Sequence, residues 1–282
     1  MKLKKIRKLI SVGVLAAFTM CGVMGCGTSE KKSDSDSSSS SESLLESIKA
    51  DGKLVVGTAS GYAPYEFADT SEGNKIVGVD IELAQAIADE LGVKLEVQDM
   101  TFSALLSSLT ANKIDLAIAG ICVTEERKKT IDFSDTYIDA EQKVLVRNED
   151  VSKYNTLDKF DGDKVGAQKS TTQETLANTE IKDATVVSLE KVPDLILELK
   201  DKKINGIIIE SVVAEQYILA NPDLAFCDAK FENNLKPTAI ALRKGNEDLV
   251  EILNKVIKEN KDNGNIDKWI KEYSKKSAEN AK

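Results

Sequence analysis

The sequence predicts an α/β fold in which helices cover a mainly parallel sheet and the chain forms two lobes. Two observations predict it. Strand-like and helix-like segments alternate along roughly 235 residues, which is enough for two moderate domains. The layout of these segments also repeats in outline in the second half of the chain. Two α/β units of similar layout indicate two lobes, and a small-ligand site commonly lies in the cleft between lobes.

The first 25 residues are predicted to be a secretory signal peptide. Five lysines and arginines lie within the first eight residues, and the apolar stretch Leu9 to Met20 follows. This stretch is too short to remain as a membrane span. Small residues flank Cys26 directly behind it, as in the bacterial lipobox. We therefore expect Cys26 to be diacylated and to become the mature N-terminus. The alternative is a plain signal peptide that happens to contain cysteines.

Residues 26–43 are predicted to be a disordered tether, because Ser, Asp, Lys and Glu dominate the segment and cannot build a core. The globular part is expected to start near Leu44. Removal of the signal peptide takes away five positive charges, so the formal charge changes from -9 to -14. An acidic surface disfavours nucleic acid as a partner.

The composition excludes much catalytic chemistry. The chain contains no histidine, which removes Ser-His-Asp and Cys-His catalysis and the commonest zinc ligand. No glycine-rich phosphate loop is present. Cys122 and Cys227 lie far apart with no framework spacing, so we expect both to be free thiols. We expect no metal and no cofactor.

The first unit is predicted to contain three strands and two helices. Asp80 is a suitable N-cap for the first helix and Gly92 a suitable stop. The second helix has apolar residues on one face from Phe102 onwards. In order, the predicted segments are the strand Leu54 to Gly57, the helix from Asp80 to Gly92, the strand Val93 to Val97, the helix with Phe102, Leu105, Leu106 and Leu109, and the strand Ile114 to Ala119.

The second unit is predicted to repeat this alternation and to continue into a last strand and a long helix. The run Gly206 to Ile209 is fully apolar, as in a strand buried on both faces. In order, the predicted segments are the strand Lys164 to Ala167, the helix Thr172 to Ala177, the strand at Val186 and Val187, the helix with Val192, Leu195, Ile196 and Leu199, the strand Gly206 to Ile209, the strand Thr238 to Leu242, and the helix with Leu249, Ile252, Leu253, Val256 and Ile257.

Four motifs make a resemblance specific. They are Gly61-Tyr62-Ala63-Pro64-Tyr65-Glu66-Phe67, Gly78-Val79-Asp80-Ile81-Glu82-Leu83, Thr124-Glu125-Glu126-Arg127 with Asp132-Phe133-Ser134, and Ser170-Thr171-Thr172-Gln173. In this order and spacing the chain resembles the polar amino-acid-binding proteins of bacterial ABC importers, which are extracellular solute-binding proteins of family 3. Relatives include glutamine-binding and lysine/arginine/ornithine-binding proteins. The resemblance covers residues 45 to 276.

The resemblance implies a two-lobed periplasmic-binding-protein fold that closes on its ligand. Lobe 1 would comprise residues 44–139 and 235–282, and lobe 2 residues 140–234. Two chain crossings, near Ala140 and Asn234, would form the hinge. Each lobe would hold part of the ligand, so ligand contacts that span both lobes would favour the closed state.

The resemblance assigns the ligand α-carboxylate to Arg127. A guanidinium fits this role because its planar fork meets both carboxylate oxygens at once. The backbone N-H of Thr172, at the start of a helix, would complete the contact, with help from the Thr171 hydroxyl. Thr172 could equally serve as the cap of its helix.

The resemblance assigns the ligand ammonium group to Glu210, at a position where relatives usually carry aspartate. The longer side chain shifts the carboxylate and changes the expected pose. The main-chain carbonyl groups of Ala119 and Gly120 would share the ammonium group. Cys122 replaces a hydroxyl residue that is common at its place, and a thiol is a weaker hydrogen-bonding partner.

The ligand side chain is expected to lie between Tyr62 and Phe102, a geometry that suits aliphatic stems, amides and guanidinium groups. Ala59 stands where glutamine and cationic-ligand binders place an aspartate. Glu66 and Gln168 remain as candidate polar partners. Apart from the carboxylate-binding arginine, no Lys or Arg is expected to line the pocket, which places acidic ligands below neutral polar, sulfur-containing and cationic amino acids.

The expected function is capture of a free amino acid and its delivery to the permease subunits of an ABC importer. The protein would not be an enzyme. It would act as a monomer, anchored by lipid to the extracellular face of the cell membrane, or facing the periplasm if the source has an outer membrane. The alternatives are a ligand-sensing domain for a membrane receptor and a dehydratase of the same fold, with Glu210 as general acid.

Overall fold

The computed structural model describes residues 43–280. The predicted signal peptide, the lipid anchor at Cys26 and all but the last residue of the predicted tether lie outside this range. The first described helix begins at Leu44 and is capped by the Ser43 side chain, which accepts a hydrogen bond from the Glu46 amide.

The helices and strands alternate as predicted over most of the chain. The helices are α1 (Leu44–Asp51), α2 (Val79–Leu91), α3 (Phe102–Thr110), α4 (Glu125–Lys128), α5 (Thr172–Glu180), α6 (Val192–Lys200), α7 (Ser211–Ala220), α8 (Glu247–Asp262) and α9 (Asn265–Asn280). The strands are β1 (Lys53–Thr58), β2 (Phe67–Asp69), β3 (Lys75–Val77), β4 (Lys94–Asp99), β5 (Leu116–Ala117), β6 (Ile131–Arg147), β7 (Lys164–Gln168), β8 (Thr185–Leu189), β9 (Gly206–Glu210), β10 (Leu224–Phe226) and β11 (Leu235–Arg243).

The long strand β6 belongs to two groups of strands. Its first part pairs with β11 in the order β4-β1-β5-β11-β6, and its last part pairs with β9 and β10 in the order β6-β9-β7-β8. The pairing changes between Glu141, opposite Leu235, and Gln142, opposite Glu210. One strand therefore carries the chain between the groups. The lobe boundaries at 139/140 and 234/235 stay predictions.

The sheet is mixed rather than mainly parallel. Strand β1 pairs in parallel with β4 and β5, and β7 pairs in parallel with β8 and β9. The connecting strands β6 and β11 run antiparallel to their neighbours. The parallel part follows from the alternation of strands and helices, whereas β6 was not predicted, because its buried positions do not alternate regularly.

The N-cap of helix α2 lies two residues before the predicted one. The cap is Gly78, and Asp80 lies inside the first turn with its side chain fully buried. Gly78 has φ 138°, and a Cβ atom there would overlap the main chain of Tyr65. The Asp80 amide donates to the carbonyl oxygen of Tyr65 at 3.0 Å. The prediction of Asp80 as N-cap was wrong, since the loop in front of the helix supplies the acceptors. Gly92 ends the helix as predicted, with φ 69°.

The core consists mainly of aliphatic side chains between the helices and the sheets. Strand β9 is buried along its whole length, as predicted for an apolar strand covered on both faces. Fully burying a Leu or Ile side chain contributes about 1.5–3 kcal/mol, so this strand anchors the sheet that positions Glu210 at its end. Within residues 43–280, no helix is long and apolar enough to cross a membrane.

Candidate functional site

Most of the predicted site residues line one small cavity. Its volume is about 10 Å³, roughly the room for a single water molecule. A ligand as large as an amino acid therefore requires the surrounding side chains or lobes to move apart. The lining residues are Tyr62, Phe102, Ala119, Gly120, Cys122, Arg127, Gln168, Thr171, Thr172, Gln173 and Lys236. Of the predicted residues, only Glu66 and Glu210 are missing from this lining.

The Arg127 side chain bridges residues from the two halves of the site. Helix α4 places it half-buried, where one guanidinium nitrogen donates to the carbonyl oxygen of Cys122 at 2.8 Å. Another donates to the carbonyl oxygen of Ser170 at 3.1 Å. The guanidinium carbon lies 5.7 Å from the centre of the Phe102 ring, within range of a cation–π contact. Among the described residues, Arg127 forms no ion pair with a carboxylate, so its charge is available to an anion.

The start of helix α5 lies beside this guanidinium. The N-cap is Thr171, whose hydroxyl oxygen accepts from the Glu174 amide at 3.3 Å and donates to the carbonyl oxygen of Gln168 at 2.5 Å. Thr172 is therefore the first residue of the helix and not its cap. At this position a backbone N-H has no acceptor within the helix and can bind an anion. The hydroxyl of Thr171 is already used in the cap.

Glu210 ends strand β9 and is fully buried. One of its carboxylate oxygens accepts from the Lys236 ammonium and from the Tyr62 hydroxyl, the latter at 3.3 Å. The other accepts from the Tyr65 hydroxyl. Burial, followed by the charge of Glu210, raises the pKa values of Tyr62 and Tyr65 well above the usual range, so both hydroxyls stay protonated and donate.

Lys236 was missed in the sequence analysis, which expected no cation in the pocket other than Arg127. Its side chain is 3% exposed and its Nζ donates to the carbonyl oxygen of Gly120 at 2.6 Å. The ammonium also lies 5.5 Å from the centre of the Tyr62 ring. The lysine comes from strand β11, more than a hundred residues from Gly120, and local sequence gives no sign of such a contact. Gln173, which donates to the Tyr62 hydroxyl at 3.2 Å, was also missed.

The buried Asp80 side chain holds the turn at Ala119 and Gly120 in place. One carboxylate oxygen of Asp80 accepts from the Gly120 amide at 2.8 Å, and the other accepts from the Tyr137 hydroxyl at 2.8 Å. Gly120 has φ 55°, a conformation that favours glycine. Burial raises the pKa of Asp80 to about 6, against the lowering effect of these hydrogen bonds. The Gly120 carbonyl group is thereby aimed at the cavity, where Lys236 uses it.

Glu66 lies beneath the cavity instead of in its lining. Its side chain is 1% exposed, and neither carboxyl oxygen accepts a hydrogen bond from residues 43–280. Burial, and then the neighbouring Asp80, raise the pKa of Glu66 well above its usual range. The folded protein therefore favours the neutral, protonated form of this side chain. Glu66 does not line the cavity in this arrangement, and its contact with a ligand side chain stays a prediction.

The remaining predicted residues line the cavity without forming a charged contact. Tyr62 and Phe102 are 5% and 8% exposed and present aromatic surface. Gln168 donates to the carbonyl oxygen of Glu190 at 3.0 Å, so one of the two N-H donors of its amide is used. Cys122 and Cys227 are free, as predicted, and both are buried. Burial raises the pKa of the Cys122 thiol, which keeps it neutral.

A wider cleft of about 930 Å³ adjoins the small cavity. The two share Cys122, Arg127, Thr171 and Thr172. The cleft gives the guanidinium a route to solvent. Within residues 43–280, no group of three or more Cys, Asp or Glu side chains is placed to hold a metal ion.

Comparisons with known proteins agree with this architecture. The chain is 36% identical over 271 residues to the arginine-binding extracellular protein ArtP of Bacillus subtilis, covering 94% of this chain and 95% of the relative. The crystal structure of the substrate-binding protein AbpA of an amino acid ABC transporter from Streptococcus pneumoniae, bound to L-arginine, superposes with a TM-score of 0.81. It shares 41% identity and covers 83% of this chain and 99% of its own.

One solved structure bears on the dehydratase alternative. The ancestral amino-acid-binding protein AncCDT-1, a precursor of cyclohexadienyl dehydratase, is 31% identical, with a TM-score of 0.75 and coverage of 82% of this chain and 99% of its own. The sequence profile of the bacterial extracellular solute-binding proteins of family 3 matches residues 54–276, which is most of the chain. This match and the relatives above identify the two-lobed fold, and the chain belongs to the bacterial extracellular solute-binding proteins of family 3.

Proposed function

We propose that the protein binds a free α-amino acid outside the cell and delivers it to an ABC importer. The observation that carries the proposal is the surrounding of Arg127. Its guanidinium contacts main-chain carbonyl groups of Cys122 and Ser170 but no carboxylate among residues 43–280. It lies in a cavity lined from both halves of the chain. A ligand carboxylate between Arg127 and the first amide of α5 would be held by a charge-assisted fork and a helix N-terminus.

Transport by binding, without catalysis, is the form of the proposal that the geometry favours. The dehydratase alternative needs Glu210 as a general acid, but both of its carboxylate oxygens already accept hydrogen bonds from Lys236 and two tyrosines. The relative ArtP and the structure of AbpA are named as binding proteins. A lipid anchor at Cys26 would hold the globular part close to a permease in the same membrane.

L-Arginine is the first candidate ligand, because ArtP is named for arginine and AbpA was solved with it. Tyr62 and Phe102 would give its guanidinium or aliphatic stem aromatic surface to pack against. Neutral polar and sulfur-containing amino acids come next, since the lining of the small cavity contains no carboxylate to pair with a cationic side chain.

A thermal-shift panel of the common L-amino acids and L-cystine tests the proposal. A ligand that binds only the folded state, at about a hundredfold excess over Kd, stabilises the protein by about 2.7 kcal/mol, so the true ligand should raise the Tm by several degrees. We expect one amino acid or one chemical group of amino acids to stand out. The D-enantiomer of the best ligand is the matched control and should give a much smaller shift. A flat panel at millimolar concentrations would refute amino-acid binding.

A further inference from the structure

Lys236 has a role that the proposed site does not yet explain. It lies at the start of β11, opposite Ala140 in β6, close to the point where β6 changes partners from one group of strands to the other. Its ammonium group is buried and contacts the Gly120 carbonyl oxygen at 2.6 Å and the Glu210 carboxylate. The faces of Tyr62 and Tyr65 lie 5.5 and 5.7 Å from it. A carboxylate, a carbonyl oxygen and two aromatic faces form a complete site for an ammonium group.

This ammonium site has no room for a second cation. Both oxygens of Glu210 are engaged, one by Tyr65 and the other by Tyr62 and Lys236. With Lys236 in place, Glu210 does not reach the cavity, and the lining contains two cations and no carboxylate. The ammonium group of a zwitterionic ligand would then lie close to Lys236 without an acidic partner, and like charges at short range in a dry site repel strongly.

This repulsion is avoided if the ligand ammonium group takes the place of the Lys236 ammonium group at Glu210. If Lys236 left without replacement, the buried Glu210 carboxylate would lose its counter-charge, which is strongly unfavourable. If a ligand ammonium took its position, the buried charge on this side would be unchanged. The displaced ammonium group can turn to Glu66 in the same buried group, whose carboxyl oxygens accept no hydrogen bond from residues 43–280 and on which the Lys236 charge acts. Glu66 would release its proton to solvent, so that each ammonium group has one carboxylate and the buried charge stays the same.

We propose that Lys236 is an internal competitor of the ligand: its ammonium group occupies the ammonium site formed by Glu210 and Gly120, and an α-amino acid binds by displacing it. The inference rests on the proposed function. Lys236 then determines specificity, because only a ligand with its own α-ammonium group can replace the lysine at Glu210. It also links binding to the connecting strands, since the displaced side chain starts one residue after Leu235, where β11 begins.

Calorimetric titration of two matched ligands tests this exchange. L-Arginine carries an α-ammonium group, and 5-guanidinopentanoate is the same molecule without it. The measured quantity is the ratio of their Kd values in the wild type and in Lys236→Met, which keeps the unbranched stem and removes the charge. Because the ligand ammonium no longer competes with lysine, the preference for L-arginine should rise about tenfold or more in Lys236→Met.

Lys143→Met is the control, since Lys143 forms an exposed ion pair on β6, and its ratio should equal that of the wild type.

An unchanged or lower preference in Lys236→Met would show that the lysine is a fixed part of the site and would overturn the inference. If Lys236→Met does not fold, the same comparison is made between Glu210→Gln and Lys236→Met/Glu210→Gln, where removal of the lysine should again raise the preference. Absence of L-arginine binding by every folded variant, including the wild type, is a different result. It would contradict arginine as the ligand and would reject the exchange as well.

Discussion

The two ends of the small cavity each contain a cation, and the two cations have different partners. Arg127 contacts two main-chain carbonyl groups and the face of Phe102. Lys236 forms a buried ion pair with Glu210. The charge of Arg127 is therefore open to a ligand, while the charge of Lys236 is neutralised within the protein. Arg127 and Thr172, which the resemblance assigns to the ligand carboxylate, lie at one end of the cavity, and their contact with a ligand stays a prediction. At the other end, the resemblance gave Glu210 no internal partner.

This contrast shows that the position of a residue can be inferred from relatives more safely than its electrostatic role. A guanidinium keeps its charge and its fork in nearly any environment, so its function follows from its position. The role of a buried carboxylate depends on every charge and donor around it. For Glu210, those partners come from two distant segments, with Tyr62 and Tyr65 in one loop and Lys236 in β11.

The largest expected effect is at the arginine end. Arg127→Ala should abolish the thermal shift and weaken binding of the best ligand by about 2–5 kcal/mol, because the ligand carboxylate would be buried without its charged partner. Arg127→Lys should recover only part of the affinity, since an ammonium group cannot form the bidentate contact. Calorimetric titration measures both variants.

The control for this variant is Lys128→Ala. Lys128 is the next residue of the same short helix, and its exposed side chain pairs with Glu125 at 2.9 Å. An exposed pair of this kind contributes little, so binding should change by less than about 0.5 kcal/mol. Equal losses in Arg127→Ala and Lys128→Ala would mean that the segment acts through general positive charge, and the difference between the two ends would disappear.

The next effect concerns the buried carboxyl group beneath the lysine end. The pKa of Glu66 is raised in the folded protein, so the folded state keeps a proton that the unfolded chain releases above its ordinary pKa of 4.5. The free energy of unfolding should therefore fall as pH rises, by about 1.4 kcal/mol per pH unit from this group, until the folded-state pKa is passed. Glu66→Gln, which mimics the protonated form, should lack this slope.

The measurement is urea unfolding of the wild type and Glu66→Gln at several pH values from about 5 to 7. Asp80, with its pKa of about 6, is present in both proteins and titrates in both curves. The stability of the wild type relative to Glu66→Gln should decrease steadily across this range. A difference that stays constant with pH would mean that Glu66 is ionised in the folded protein, and the lysine end would then hold one more negative charge than we infer.

Much of the fold was predictable because most strands and the helices α2, α3, α5, α6 and α8 carry a local signal, whereas α1, α4, α7 and α9 were not predicted. Helix α2 ends at a glycine and α6 has an apolar face, and the structure confirms both. The prediction failed where distant contacts decide the conformation. Strand β6 pairs with two groups of strands, so its buried positions follow no single period. Asp80 looked like a cap, but it is needed to hold Gly120 and Tyr137.

The site residues divide in the same way, into those that a local motif predicts and those that only distant contacts bring together. Arg127, Thr172 and Tyr62 belong to motifs that keep their spacing, and the structure places them around one cavity together with Phe102. Lys236 belongs to no such motif. As a single lysine in an apolar strand, it carries no sign that it will meet Glu210, because that contact depends on how β11 and β9 lie beside β6.

The smallest expected effect returns to the arginine end and concerns the amides of α5. Thr171→Ala removes the side chain that caps the helix through the Glu174 amide. Loss of such a cap costs about 1 kcal/mol, so the free energy of unfolding should fall by that amount. Binding should weaken only slightly, because the Thr172 amide and Arg127 remain.

Thr175→Ala is the control. The Thr175 hydroxyl donates to the carbonyl oxygen of Thr171 inside the same helix, and alanine is a good helix former, so stability should change little. A large loss of binding in Thr171→Ala with normal stability would instead show that this hydroxyl contacts the ligand directly, which would move the carboxylate site from the helix amides to the cap itself.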